Sequence, residues 1–161
     1  MTLRSPSLGR VGQFHVTYAN QIAEQRGNVI GGFACGNPTD PACALGPGYT
    51  PVDHDQRNTL NTGFTANLPL HTWFASNVYY GSGFTNGSPG AQYPGDYLPQ
   101  HTTFDVSVGK SFGEHERYKL SLTAMNVANR RILLDNSLTF GGFHFNDPRQ
   151  IYGEFRWRFH Y

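Results

Sequence analysis

The sequence contains few charged residues, only two cysteines and no long apolar run. Charged residues make up 14% of the 161 positions and the formal net charge is +1, so the composition gives no support to a nucleic-acid partner. No apolar run exceeds four residues, which excludes a transmembrane helix. A barrel strand needs only about 9–11 residues of alternating polarity, so a membrane location stays open.

Glycine, proline and aromatic residues are abundant. The 19 Gly and 10 Pro argue against a mostly helical protein, because both residues disfavour helix interiors. The 12 Phe, 9 Tyr and 2 Trp argue against intrinsic disorder. The length suits one domain. We therefore predict a single β-rich domain over residues 1–161.

Apolar and polar residues alternate with a period of two, which is typical of strands. The alternation is clearest at the end of the chain, where Ile151, Phe155, Trp157 and Phe159 alternate with polar residues. A helix competes only over residues 119–134, and the unbroken alternation there favours a strand. The predicted strands lie near residues 11–23, 57–68, 72–83, 103–112, 118–127 and 150–161.

The connections between these strands alternate in length. Short turns at residues 69–71 and 113–116 alternate with long connections at residues 24–56, 84–101 and 129–149. This order is typical of an outer-membrane barrel with short periplasmic turns and long outer loops. We predict an all-β fold of about six antiparallel strands, an incomplete portion of a large transmembrane β-barrel. Its periplasmic rim would carry an aromatic girdle of Trp73, Phe112, Tyr118, Phe159 and Tyr161.

Four segments resemble the C-terminal barrel of TonB-dependent receptors, particularly the large Oar-like members. They are residues 53–60 (Asp-His-Asp-Gln-Arg-Asn-Thr-Leu), 77–83 (Asn-Val-Tyr-Tyr-Gly-Ser-Gly), 124–131 (Ala-Met-Asn-Val-Ala-Asn-Arg-Arg) and the final stretch 147–161. Together the resemblance covers about residues 10–161. It implies uptake of an unidentified nutrient across the outer membrane of a Gram-negative cell, with this piece contributing barrel wall and extracellular loops.

The resemblance also implies partners. They are outer-membrane lipid, the barrel assembly machinery acting through the C-terminal strand, and the plug domain and remaining strands of a barrel of about 22 strands. TonB would be contacted only through a missing N-terminal part. Residues 1–10 contain no apolar signal core, and no plug domain is recognised, so we expect a C-terminal fragment. The alternative is a stand-alone structural or ligand-binding β-protein, either a small oligomeric barrel or a secreted sandwich.

Two groups of residues are candidates for contact with a plug or a ligand. The even face of the last strand would point into the lumen, either holding the plug or, as we favour, simply solvating a wet interior; it carries Glu154, Arg156, Arg158 and His160. Aromatic residues of the outer loops either contact ligand or pack the loops together; the candidates are Tyr49, Tyr93, Tyr97, Phe143 and Phe145.

Catalysis and metal binding are not expected. The chain has no Gly-x-Ser-x-Gly elbow, phosphate loop or His-Glu-x-x-His helix, so we predict no enzyme and no cofactor. Residues 53–57 are interpreted as a polar rim that hydrogen-bonds loop backbone. The seven His are scattered, and no metal site is predicted. Cys35 and Cys43 form a local disulfide in the favoured interpretation and are two free thiols in the alternative.

Overall fold

The fold is all-β and antiparallel, as predicted. The computed structural model describes residues 1–4, 12–26, 48–85, 92–136 and 142–159. In chain order the strands are β1 (Thr2–Arg4), β2 (Gly12–Asn20), β3 (Glu24–Gln25), β4 (Thr50–Pro51), β5 (Asn58–Leu68), β6 (Thr72–Gly81), β7 (His101–Phe112), β8 (Tyr118–Met125), β9 (Leu133–Asp135), β10 (His144–Phe145) and β11 (Gln150–Trp157). No helix among the described residues is long and apolar enough to cross a membrane.

Seven strands form one open sheet in the order β1-β2-β5-β6-β7-β8-β11. The outermost strands β1 and β11 each pair on one side only, so the described residues form no closed barrel. Six of the strands overlap the six predicted segments. The seventh, β1, is three residues long and pairs with β2, and so short a strand gives no alternation to detect.

The two short turns lie at one end of the sheet and the long connections at the other. Residues 69–71 join β5 to β6, and residues 113–117, which include the 3₁₀ turn Glu114–Glu116, join β7 to β8. The long connections contain two small two-stranded sheets, β3 with β4 and β9 with β10. We call this second end the loop end, and it is where the predicted ligand contacts lie.

Strand β8 ends two residues before the predicted boundary because of one asparagine. Asn126 adopts a φ of 48°, and its backbone N–H donates to Asp105 Oδ1 at 2.8 Å. Its side-chain amide also bonds the backbone of Arg130 and the carbonyl of Asp147. These bonds turn the chain out of the sheet and tie both ends of the long connection between β8 and β11 together.

The sheet has one apolar and one polar face. Strand pleating places alternate residues on opposite faces, and the antiparallel register aligns them across strands. The apolar face carries Phe14, Val16, Tyr18, Leu60, Phe64, Phe74, Val78, Phe104, Val106, Val108, Leu120, Leu122, Ile151, Phe155 and Trp157. The polar face carries His15, Asn61, Thr65, Asn77, Thr103, Asp105, Ser107, Ser121, Thr123, Glu154 and Arg156.

The apolar face is uncovered. Leu122 is 53% exposed, and Ile151 and Phe155 are exposed to a similar or greater extent. Among the described residues, the buried apolar side chains are those of Pro51, Ala66 and Ile132. A soluble sheet of this size normally packs its apolar face against a second layer. No such layer occurs in the described part of this chain.

Two large rings on the polar face lie over glycines of the neighbouring strand. Trp73 pairs with Gly109, and His15 pairs with Gly63. A Cβ atom added to either glycine would come within 3.0 Å of ring atoms of its partner. Glycine at these two positions therefore leaves the space in which the rings pack against the backbone, an arrangement that pins strand register.

We expect Gly109→Ala to lower the free energy of unfolding by about 1–3 kcal/mol, because the new methyl group overlaps the Trp73 ring. Denaturant unfolding in detergent micelles measures the effect. In a Trp73→Ala background the same change should be nearly neutral. Gly153→Ala is the control, since its Cβ would meet only the Ser121 carbonyl at 3.9 Å. An equal loss for both glycine variants would contradict the packing argument.

Candidate functional site

Two of the predicted lumen-facing residues, Glu154 and Arg156, lie on the polar face of β11. Glu154 and Arg156 form an ion pair of 2.8 Å, and both side chains are 55% exposed. Such exposed pairs contribute little stability. The Arg158 N–H donates to the carbonyl of Arg117, which extends the pairing of β11 with its neighbour. His160 lies outside the described residues.

Hydrogen bonds between side chains cross the polar face from strand to strand. His15 Nε2 lies 3.1 Å from Asn61 Oδ1, and the hydroxyls of Ser107 and Thr123 are 2.9 Å apart. These side chains are polar and half-buried. The face therefore presents imidazole, amide and hydroxyl groups.

Aromatic rings form a row at the short-turn end of the apolar face. Phe112 stacks on Tyr118 with ring centroids 5.5 Å apart, and Tyr118 in turn lies 6.1 Å from Trp157. Trp157 contacts Phe159 at 4.3 Å. Three of the five predicted girdle residues thus lie together, and Trp157, which the prediction omitted, joins them.

Of the other two predicted girdle residues, Tyr161 lies outside the described residues. Trp73 lies at the same end of the sheet but on the polar face, opposite Gly109, with Lys119 Nζ 4.7 Å from its ring centroid. The prediction placed it in the girdle from its distance along the strand, and the pleat puts it on the other side.

Two tyrosines lie on the apolar face at the loop end. The Tyr18 hydroxyl donates to Asn58 Oδ1 at 2.7 Å, and the Tyr80 hydroxyl donates to Gln100 Oε1 at 2.9 Å. Each ring thus has an apolar body on the sheet face and a polar tip bound at the loop end. This placement resembles that of aromatic residues at a membrane interface.

Asp55 is the centre of the hydrogen-bonded network at the loop end. Its side chain is fully buried. Oδ1 accepts the backbone N–H of Ala23 at 2.9 Å, and Oδ2 accepts the Tyr97 hydroxyl and lies 3.2 Å from Arg57 Nε. The prediction that residues 53–57 hydrogen-bond loop backbone is confirmed by the Ala23 contact. Three separate segments are joined through this one carboxylate.

The surroundings of Asp55 explain the protonation state of Tyr97. Arg57 Nε donates to the Tyr97 hydroxyl at 3.1 Å. Burial raises the pKa of the Tyr97 phenol, and its hydrogen bond to Asp55 acts in the same direction. The phenol therefore stays protonated and continues to donate to Asp55 over the whole physiological range.

The predicted ligand-contact aromatics have different surroundings. Tyr97 belongs to the Asp55 network and has little surface left for a ligand. Tyr49 and Tyr93 line one open pocket together with Glu24, Arg57 and Asn58. Phe143 is 71% exposed, and Phe145 lies under the guanidinium of Arg131 at 3.9 Å. The pocket of Tyr49 and Tyr93 combines two rings with both signs of charge, which suits a polar ligand with an apolar side.

A cluster of three ligand-type side chains was not predicted. One ligand atom from each of Asp53, His54 and Asp135 lies within 4.8 Å of the others. Burial raises the pKa of Asp53, with Asp135 acting in the same direction and His54 against both. Sequence reasoning missed this cluster because 80 residues separate its halves. The sequence does contain a short apolar run at residues 132–134, which indicates an additional strand next to Asp135. This run was the available signal for the second half of the cluster.

Comparison with protein-family models, with curated proteins and with solved structures finds no match to this chain. Cys35 and Cys43 lie outside the described residues, so both interpretations of them stay predictions. The features that bear on function are therefore the two faces of the sheet and the loop end.

Proposed function

We propose that this chain forms part of the wall of a transmembrane β-barrel in the outer membrane of a Gram-negative cell. The observation that supports this most is the uncovered apolar face opposite a continuous polar face. A barrel wall in a membrane requires this arrangement, with apolar residues toward lipid and polar residues toward a wet interior.

The height of the apolar face fits a bilayer. The row that contains Tyr80 and its partner Thr102 lies near one limit, and Phe112 lies at the other. Residues 102 to 112 span ten steps, or about 33 Å at roughly 3.3 Å per residue. A strand tilt of about 40° reduces this to a height of about 25 Å, the thickness of the apolar band of such barrels.

The open edges indicate what else the wall needs. β1 and β11 expose unpaired backbone groups, which in a bilayer would each cost several kcal/mol. Barrels of this type have at least about eight strands. Further strands would therefore pair with both edges, and the assembly machinery would meet the edge formed by β11.

The resemblance of four sequence segments to TonB-dependent receptors gives the more specific proposal. The complete barrel would take up a nutrient with energy from TonB. The polar face, including Glu154 and Arg156, would border the plug, and the pocket of Tyr49 and Tyr93 would meet the nutrient from outside. A stand-alone β-protein, closed by a second copy at the same edges, is the other candidate.

The two tryptophans lie on opposite faces, and this gives a direct test. In lipid vesicles with bromine atoms on the acyl chains near the headgroups, fluorescence of the Trp73→Phe variant reports Trp157 alone. The Trp157→Phe variant reports Trp73 alone. We expect strong quenching by brominated lipid for Trp157 and weak quenching for Trp73, with aqueous iodide giving the reverse order.

Equal quenching of the two tryptophans by lipid would contradict the barrel-wall proposal. A chain that is monomeric and dispersed in buffer without detergent would instead favour a secreted sandwich. A defined oligomer in buffer would favour the small barrel of several copies.

A further inference from the structure

Three side chains that commonly bind metals meet at the loop end from two distant parts of the chain. Asp53 and His54 form the turn after β4, and Asp135 is the last residue of β9. Their ligand atoms lie within 4.8 Å of one another, and His54 Nδ1 is 3.1 Å from Asp53 Oδ1. The cluster contains an imidazole as well as carboxylates, and it directly precedes Asp55 in the chain.

The spacing is close to that of a metal site. In a tetrahedral zinc site with bonds of about 2.0–2.1 Å, neighbouring ligand atoms are about 3.3 Å apart. The distance of 3.1 Å between His54 and Asp53 already matches this value. The remaining separations are at most 4.8 Å, so they exceed this value by no more than about 1.5 Å.

Burial and charge also favour a cation. Asp135 is 2% exposed, and Asp53 lies beside it with a side chain that is 30% exposed. Two carboxylates held this close in a partly dry environment repel each other. A divalent cation between them would neutralise both and replace the lost hydration.

His144 of the β9–β10 hairpin is a neighbour of this cluster, although it lies outside the group whose ligand atoms are all within 4.8 Å of one another. It is the register partner of Asp135. It also lines the same pocket as His54, Phe84 and Asp135. With the His144 ring turned toward the cluster, two imidazole nitrogens and two carboxylate oxygens would form a donor set that suits zinc better than calcium or magnesium.

We propose that Asp53, His54 and Asp135, joined by His144 after a rotation of its side chain, bind a divalent first-row transition-metal ion, with Zn²⁺ the best fit. The ion would join the turn after β4 to the β9–β10 hairpin. It would thereby fix the long connection between β8 and β11 over the loop end. This inference concerns the loops alone and holds whether or not the sheet lies in a membrane.

Calorimetric titration of the full chain with Zn²⁺, in detergent micelles and excess Mg²⁺, tests the site. We expect one Zn²⁺ per chain, a higher unfolding temperature with Zn²⁺, and reversal by a chelator. Asp135→Asn should weaken Zn²⁺ binding at least tenfold. Asp147→Asn is the matched control at an exposed position and should leave binding unchanged.

The response to metal separates a metal site from an ordinary buried aspartate. Zn²⁺ should raise the unfolding temperature of the unaltered chain and of the control, and it should leave the unfolding temperature of Asp135→Asn unchanged. If Asp135→Asn does not fold, His144→Gln replaces it, with exposed His71→Gln as control. Equal zinc affinity in variant and control, or binding of Mg²⁺ as tight as Zn²⁺, would overturn the proposal.

Discussion

Asp55→Ala is expected to lower the free energy of unfolding by about 3 kcal/mol or more. The substitution removes the acceptor for the Ala23 N–H and for the Tyr97 hydroxyl. It also leaves the guanidinium of Arg57, whose side chain is only 15% exposed, without its nearest carboxylate. Breaking a buried ion pair from one side is among the most destabilising single changes. Denaturant unfolding in micelles gives the free energy.

Limited proteolysis locates the same effect. Because the lost bonds join loop segments, new cleavage should occur at the loop end before the strands are cut. Asp147→Ala is the control, since its side chain is exposed, and it should change stability by less than about 0.5 kcal/mol. If both alanine variants have the same stability, Asp55 does not organise the loop end.

Leu122→Arg should lower the free energy of folding into lipid vesicles by about 2–4 kcal/mol. Leu122 lies near the middle of the apolar face and is 53% exposed, so the charge would enter the centre of the bilayer. Few packing contacts are lost, and the cost therefore comes almost wholly from moving the guanidinium into hydrocarbon. Urea unfolding of the vesicle-inserted chain measures it.

The neighbouring residue is a matched control. Thr123 lies one position further on the same strand and faces the polar side, where its hydroxyl contacts Ser107. Thr123→Arg should cost less than about 1 kcal/mol, the amount expected from the lost hydrogen bond. Similar losses for the two variants would mean that the two faces have the same surroundings, and the barrel-wall proposal would fail.

Alternation predicted the sheet well because the information is local. The strands β2, β5, β7, β8 and β11 each carry a pattern of period two, whereas β6 was predicted from its aromatic and β-branched residues. Successive members of this set of six strands pair in the sheet. The strand ends were less predictable. β8 stops at Met125 because Asn126 bonds to Asp105 and Asp147, which are both 21 residues away.

The loop end shows the limit of sequence reasoning more clearly. Tyr97 was predicted as a ligand contact, and its role in the network depends on Asp55, 42 residues earlier. Asp53 and Asp135 meet only because the connection after β8 folds back over the start of β5. Such contacts between distant residues leave no periodic signal in the sequence. The side-chain contacts of the loops were therefore not predictable from it.

The rings of Trp73 and His15 are packed over Gly109 and Gly63, and this packing determines how far they project from the polar face. Side chains of this size, if they stood upright, would form ridges several ångströms high. Because both rings lie flat against the sheet, they project little from the polar face. A plug domain or a solute could therefore move along this face without meeting them. In the proposed barrel, the width of the interior at these two points would depend on two glycines, because a methyl group added to either would push the ring away from the sheet.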